Sequence, residues 1–141
     1  MPVEILIARW LALLWLICGL SHLLLPAKWS DLLLPLRDRE TGGFILAAMS
    51  LPVGLIIILG HNIWVWDLPV IVTLAGWMTT VKSVIYLLFP RAHAHVMRAS
   101  ERVIGARMEN GFRIVGAVMI FLGAVTAYDS FIRRWMLRRV D

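Results

Sequence analysis

Long apolar runs separated by short polar stretches make up most of the chain. Four of these runs carry almost no charge: Ile5–Leu25, Gly42–Gly60, Leu68–Phe89 and Phe112–Phe131. Each reaches roughly 18 residues or more, which is enough for a helix to cross about 30 Å of hydrocarbon. The pattern predicts an all-α integral membrane protein, with four transmembrane helices in one domain over residues 1–141.

Two prolines end the first and third runs at corresponding points. Pro26 and Pro90 each close a leucine-rich stretch, because proline lacks the amide hydrogen that would continue the helix. A linker with basic residues and a Gly-Phe pair follow each proline. A shift of 64 residues superposes the prolines, and a shift of 68 superposes the Gly-Phe pairs. The pattern predicts two tandem helical hairpins. A duplication of residues 5–60 as 68–131 and a coincidence of two ordinary hairpins both stay open.

The second linker, residues 90–111, has the pattern of an amphipathic helix. Its apolar and charged residues fall on opposite faces of an ideal helix, so we expect an interfacial segment between the third and fourth spans. Four crossings place both linkers on one side of the membrane and both termini on the other. Basic linkers favour the cytoplasmic side for the linkers, whereas the Arg-rich tail favours it for the termini.

The net charge of +5 and the isoelectric point near 10.4 do not alter the prediction of a membrane protein. The basic residues lie beside apolar runs, where arginine and lysine serve topology and contact anionic headgroups. We therefore expect membrane lipids as partners and no nucleic acid. Cys18 is the sole cysteine, which excludes an intramolecular disulfide. The first run lacks a basic start and a cleavage site, so we expect it to be retained as a helix.

Lys82 is the most unusual residue for its position, about two turns from the end of the third run. An ammonium group at depth costs several kcal/mol unless it reaches the interface or finds a partner. One interpretation is an intramembrane polar site for an ion, a proton or a headgroup, formed by Lys82, Thr79 and Ser83. The alternative is an ordinary lysine whose side chain extends to the linker side of the membrane.

Five arginines are candidate contacts for phospholipid headgroups, and ordinary interface anchoring is the alternative. They are Arg91, Arg98, Arg102, Arg107 and Arg113. The four histidines show no ligand spacing: His22 and His61 belong to opposite membrane faces, and His93 and His95 do not share a helix face. We therefore predict no metal site and no cofactor.

The residues around the first proline resemble those of a known family. Trp10-Leu11-Ala12-Leu13, Gly19-Leu20, Leu25-Pro26 and Trp29, followed by a polar linker and a glycine-rich restart, resemble the YjeT-like family. The second half is similar in layout. This family consists of small two-helix bacterial inner-membrane proteins of unknown function. The resemblance implies a location in the bacterial inner membrane and no established activity.

No nucleophile triad, metalloprotease motif, phosphate-binding loop or dinucleotide fingerprint is present in the sequence. We therefore expect that the protein is not an enzyme. The preferred hypothesis is a small non-catalytic subunit that packs against or stabilises a larger membrane complex, with other membrane subunits or its own copies as partners. The alternatives are a homo-oligomeric channel or small transporter that uses the Lys82 region, and an anionic-lipid-binding module.

Overall fold

The computed structural model describes residues 2–37, 39–104 and 108–133, and the regular elements in these ranges are all helical. In chain order they are α1 (Val3–Leu24), α2 (Pro26–Arg37), α3 (Glu40–Gly60), α4 (Pro69–Leu88), α5 (Pro90–Ile104), α6 (Met108–Ala127) and a π-helical segment (Tyr128–Arg133).

Four of the described helices are long and apolar enough to cross a membrane: Val3–Leu24, Thr41–Gly60, Pro69–Leu88 and Glu109–Arg133. The prediction of an all-α chain with four helices able to span a membrane is therefore confirmed. The last span combines α6 with the π-helical segment.

Each predicted proline stop is a sharp junction between two helices. The residues before the prolines, Leu25 and Phe89, leave the helical conformation with φ near −125° and −130°. The ring of a proline disfavours helical geometry in the residue before it, whereas its own fixed φ suits the first turn of a helix. Pro26 and Pro90 therefore end one helix and begin the next. We call the α1–α2 junction the first elbow and the α4–α5 junction the second elbow.

The most extensive helix packing joins α1 to α6 and α3 to α4. The tandem hairpins expected from the sequence, first span with second and third with fourth, are not confirmed. Small residues allow the observed pairing, since a Cβ atom added to Gly116 would lie 2.7 Å from the carbonyl oxygen of Gly19. One added to Gly54 would lie 2.8 Å from the amide nitrogen of Thr80. Backbones that approach this closely gain extensive van der Waals contact.

A small apolar core joins the two helix pairs. Its buried members are Ile7, Ala8 and Leu11 of α1, Ile57 of α3 and Val72 of α4. The helices α2 and α5 contact each other and cover one end of the bundle, which we call the linker end. The opposite end, which we call the loop end, holds the α3–α4 connection and the π-helical segment. In the described part of the chain, α2 and α5 thus lie at one end of the bundle, and the α3–α4 connection and the π-helical segment lie at the other.

Candidate functional site

Lys82 and Ser83 of the predicted polar site lie on different sides of α4, and Thr79, one turn before Ser83, is half-buried. Ser83 is buried in the contact with α3, where its hydroxyl oxygen lies 2.7 Å from that of Ser50. It also lies 2.7 Å from the backbone carbonyl of Thr79. Lys82 is exposed and faces away from this contact. Ser83 therefore joins two helices, whereas Lys82 belongs to the outer surface of α4.

Lys82 lines a groove of about 450 Å³ between α4 and α5. Most of the groove wall is apolar: Trp77, Met78, Val81 and Ile85 come from α4, and Ala92 and Val96 from α5, with Tyr86 completing the lining. The groove exists because the second elbow turns α5 back against the end of α4. The ammonium group of Lys82 is thus exposed on a mostly apolar surface.

His93 fixes the start of α5 on the bundle. It is buried, and a Cβ added to Gly43 of α3 would lie 2.7 Å from the Cβ of His93. Its ring meets that of Tyr86 edge to face, with centroids 5.4 Å apart. Burial and the positive charge of Lys82 lower the pKa of His93 below its ordinary value of 6.5. His93 is therefore uncharged at neutral pH, and Lys82 is the nearby source of positive charge.

The predicted headgroup arginines are spread over the linker end. Arg91 and Arg98 of α5 and Arg113 of α6 are exposed. Arg91 also lines a second groove, of about 500 Å³, together with Thr41, Phe44, Leu88, Phe89 and Pro90. Arg102 lies in α5, but its side chain is not among those described. Arg107 lies outside the described residues.

The first elbow carries its own aromatic contact. His22 stacks on Trp29 with ring centroids 4.0 Å apart, and its Nδ1–H donates to the carbonyl of Cys18 at 2.7 Å. The indole of Trp29 donates to Ser21, and the ring of Phe112 in α6 lies at a tilt to that of His22, with centroids 5.8 Å apart. His22 therefore holds α2 against the end of α1. Among the described residues, no group of three or more His, Cys, Asp or Glu side chains could hold a metal ion.

The loop end holds a charged network that the sequence analysis missed. Arg9 of α1 donates from Nε and Nη2 to the carbonyl oxygen of Ser130, at 3.2 and 3.0 Å, and its guanidinium lies 4.4 Å above the ring of Phe131. Arg133 pairs with Asp67 of the α3–α4 connection at 2.6 Å and with the buried Asp129 at 3.1 Å. The π-helical segment is therefore bound to α1 on one side and to the connection on the other.

A signal for part of this network was present in the sequence. Asp129 and Arg133 are four residues apart, the spacing of a helical ion pair. The contact of Arg9 with Ser130 joins positions 121 residues apart, which no local pattern can reveal.

His61 occupies a more buried position than its place at a helix end suggested. It has no exposed surface, and its Nδ1 lies 3.3 Å from the hydroxyl of Thr73. The same hydroxyl accepts a hydrogen bond from the Ile63 amide at 3.0 Å. Nearby, the exposed indoles of Trp64 and Trp77 both donate to Asn62. These contacts shape the α3–α4 connection that Arg133 reaches.

Comparison of the chain with protein-family models, curated proteins and solved structures found no match.

Proposed function

We propose that this protein is a small non-catalytic subunit that packs against a larger membrane complex. The observation that carries the proposal is that the hydroxyl groups of five residues in the spans bond to a neighbouring element or to the backbone of their own helix. Ser50 and Ser83 bond across α3 and α4, and Thr73 ties α4 to the α3–α4 connection. Thr80 and Ser130 donate to carbonyls one turn earlier in their own helices. Side chains used in this way stabilise a bundle.

The outer surface of α3 suits contact with other membrane helices. Met49 is 72% exposed, and Leu59 is 83% exposed. Methionine is unbranched and flexible, so it adapts to the shape of a neighbouring surface. We therefore propose that this surface, rather than the charged ends, faces the larger complex.

Photocrosslinking in native membranes tests this proposal. A photoreactive residue is placed at Met49 or Leu59, and at Ala47 of α3 as the matched control, because Ala47 is fully buried. We expect defined protein adducts from the two exposed positions and none from Ala47. Adducts to lipid alone at both exposed positions, together with a tagged chain that purifies without a partner in mild detergent, would contradict the proposal.

We further propose that α5 lies along the membrane interface, in a bacterial inner membrane. The position of α5 is supported by the turn at the second elbow and by its exposed Arg91 and Arg98. The membrane assignment rests on the resemblance to the YjeT-like family. A spin label at Arg98 tests the position of α5: a label quenched by a water-soluble reagent but not by a deep lipid reagent is the expected result.

A further inference from the structure

The groove beside Lys82 combines a positive charge with an apolar wall, a combination that suits a bound ligand. A lysine on an apolar wall loses hydration, and the loss must be offset by a partner or by access to the interface. Among the described residues, no carboxylate forms an ion pair with Lys82. The groove therefore offers a positive charge whose counter-charge comes from outside the described chain.

The walls of the groove indicate what carries that counter-charge. Trp77, Met78, Val81 and Ile85 form a continuous apolar strip along α4, and Ala92 and Val96 of α5 oppose its end. A strip of this kind suits a hydrocarbon chain and offers few partners to a small hydrated anion. A positive charge beside an apolar strip therefore suits an amphiphile with a negatively charged headgroup.

The dimensions fit one leaflet of a bilayer. The α4 strip runs from Trp77 to Tyr86, and at 1.5 Å per residue this corresponds to about 14 Å. Half of a hydrocarbon core of roughly 30 Å is about 15 Å. An acyl chain of one leaflet can therefore follow the strip, with its headgroup at the linker end, where α5 begins.

We propose that the α4–α5 groove binds one anionic phospholipid, with its phosphate against the ammonium group of Lys82 and an acyl chain along the strip from Trp77 to Ile85. Tyr86 and His93 hold α5 in place as the second wall. Lys82 is the cationic residue that lines the groove, so the site favours a lipid with a net negative charge, such as phosphatidylglycerol, over a zwitterionic one. This inference is independent of whether the protein joins a larger complex.

Native mass spectrometry of the full chain tests the site. The purified protein is incubated with phosphatidylglycerol or with phosphatidylcholine of the same acyl chains, and retained lipid is counted. We expect the wild-type protein to retain one phosphatidylglycerol in preference to phosphatidylcholine. Lys82→Met should reduce that retention about fivefold, the effect typical of one basic residue near anionic lipid, and Lys82→Arg should largely restore it.

Two further variants separate the site from general charge effects. Lys28→Met removes an exposed lysine of α2 at the same end of the bundle and should leave retention unchanged. Ala92→Trp fills the groove but keeps Lys82, and it should reduce retention of both lipids. Thermal unfolding of each variant checks whether the bundle is intact.

Three results would overturn the proposal. The first is equal retention of the two lipids by the wild-type protein. The second is an equal loss in the Lys28 and Lys82 variants. The third is full displacement of phosphatidylglycerol by excess inorganic phosphate, which would identify a site for a free anion.

Discussion

Tyr86 and His93 meet edge to face across the second elbow, with ring centroids 5.4 Å apart. His22 and Trp29 meet across the first elbow, where the rings stack at 4.0 Å. Tyr86 and His93 follow His22 and Trp29, respectively, by 64 positions in the sequence. In both pairs a ring near the end of a span contacts a ring on the first turn of a linker helix. The two elbows are therefore closed by ring contacts at equivalent positions. The contacts differ in geometry, and the histidine lies on the span in the first elbow and on the linker helix in the second.

Acidification should loosen the second elbow. Burial and the charge of Lys82 lower the pKa of His93 below 6.5 in the folded protein, so the unfolded chain takes up the proton more readily. The contribution of neutral His93 to stability is fully present above pH 6.5 and is lost as the pH falls from there through the folded-state pKa. We expect the melting temperature in detergent to fall between about pH 7 and pH 5.

Two phenylalanine variants identify the source of that pH dependence. His93→Phe keeps a ring against Tyr86 but cannot be protonated, so its melting temperature should vary less with pH. His95→Phe changes an exposed histidine two positions later and should keep the wild-type slope. If the His93 variant keeps the full acid sensitivity, another group is responsible for it.

Packing of α1 on α6 should be sensitive to one added side chain. A Cβ at Gly116 would lie 2.7 Å from the carbonyl oxygen of Gly19, so Gly116→Leu must push the helices apart. Overpacking of this kind typically costs about 1–3 kcal/mol, measured as the free energy of unfolding in a denaturing detergent. Ala117→Leu is the control, because Ala117 is exposed on the same helix and should be neutral. Equal effects of the two variants would contradict the close contact.

The sequence predicted the spans well but not their neighbours. Helices that cross a membrane must satisfy their own backbone groups, so hydrophobic length alone locates them. The pairing depends on which small residues meet, and small residues recur in all four spans. Gly19 and Gly116 are 97 positions apart, and nothing local distinguishes them from the other glycines.

The candidate site was predicted in part. The unusual position of Lys82 was visible in the sequence, because a lysine interrupts an apolar run. The sequence could not show that Lys82 and Ser83 face different surroundings. Consecutive residues on a helix point about 100° apart, and the packing of α3 decides which of the two is buried. The groove also needs Ala92 and Val96, which reach α4 because the chain turns at the second elbow.

Arg9 should contribute more to stability than an ordinary interface arginine. It donates two hydrogen bonds to the carbonyl oxygen of Ser130 and lies over the ring of Phe131. Hydrogen bonds that involve a charged group are typically worth about 1.5–3 kcal/mol. We expect Arg9→Met to lower the free energy of unfolding by an amount in that range. Arg113→Met, which removes an exposed arginine from the linker end, should have little effect.

Arg9→Lys tests the geometry of this contact. Lysine keeps the charge but cannot donate from two positions of a planar group, so it should restore only part of the lost stability. Full restoration by lysine would show that charge alone matters at this position.

The packing has an internal symmetry that bears on the duplication. Gly54 of α3 contacts Thr80 of α4, and Gly123 of α6 contacts Leu16 of α1. Thr80 follows Leu16 by 64 positions, the same shift that relates the elbows, and Gly123 follows Gly54 by 69 positions, one more than the shift of the Gly-Phe pairs. If the two halves are duplicates, α1 corresponds to α4 and α3 corresponds to α6. Each half of the chain packs its first span on the second span of the other half, as two copies of a two-span protein would in an exchanged dimer.

Dividing the chain in the α3–α4 connection should give two halves that require each other. A cut between Trp66 and Asp67 leaves α1 to α3 in one half and α4 to α6 in the other, so both extensive contacts, α1 with α6 and α3 with α4, cross the cut. We expect a tagged first half to capture the second half when both are produced together in membranes. Gly116→Leu in the second half should reduce the capture, and Ala117→Leu should not. A first half that is monomeric and helical alone, and captures no second half, would instead support self-contained hairpins.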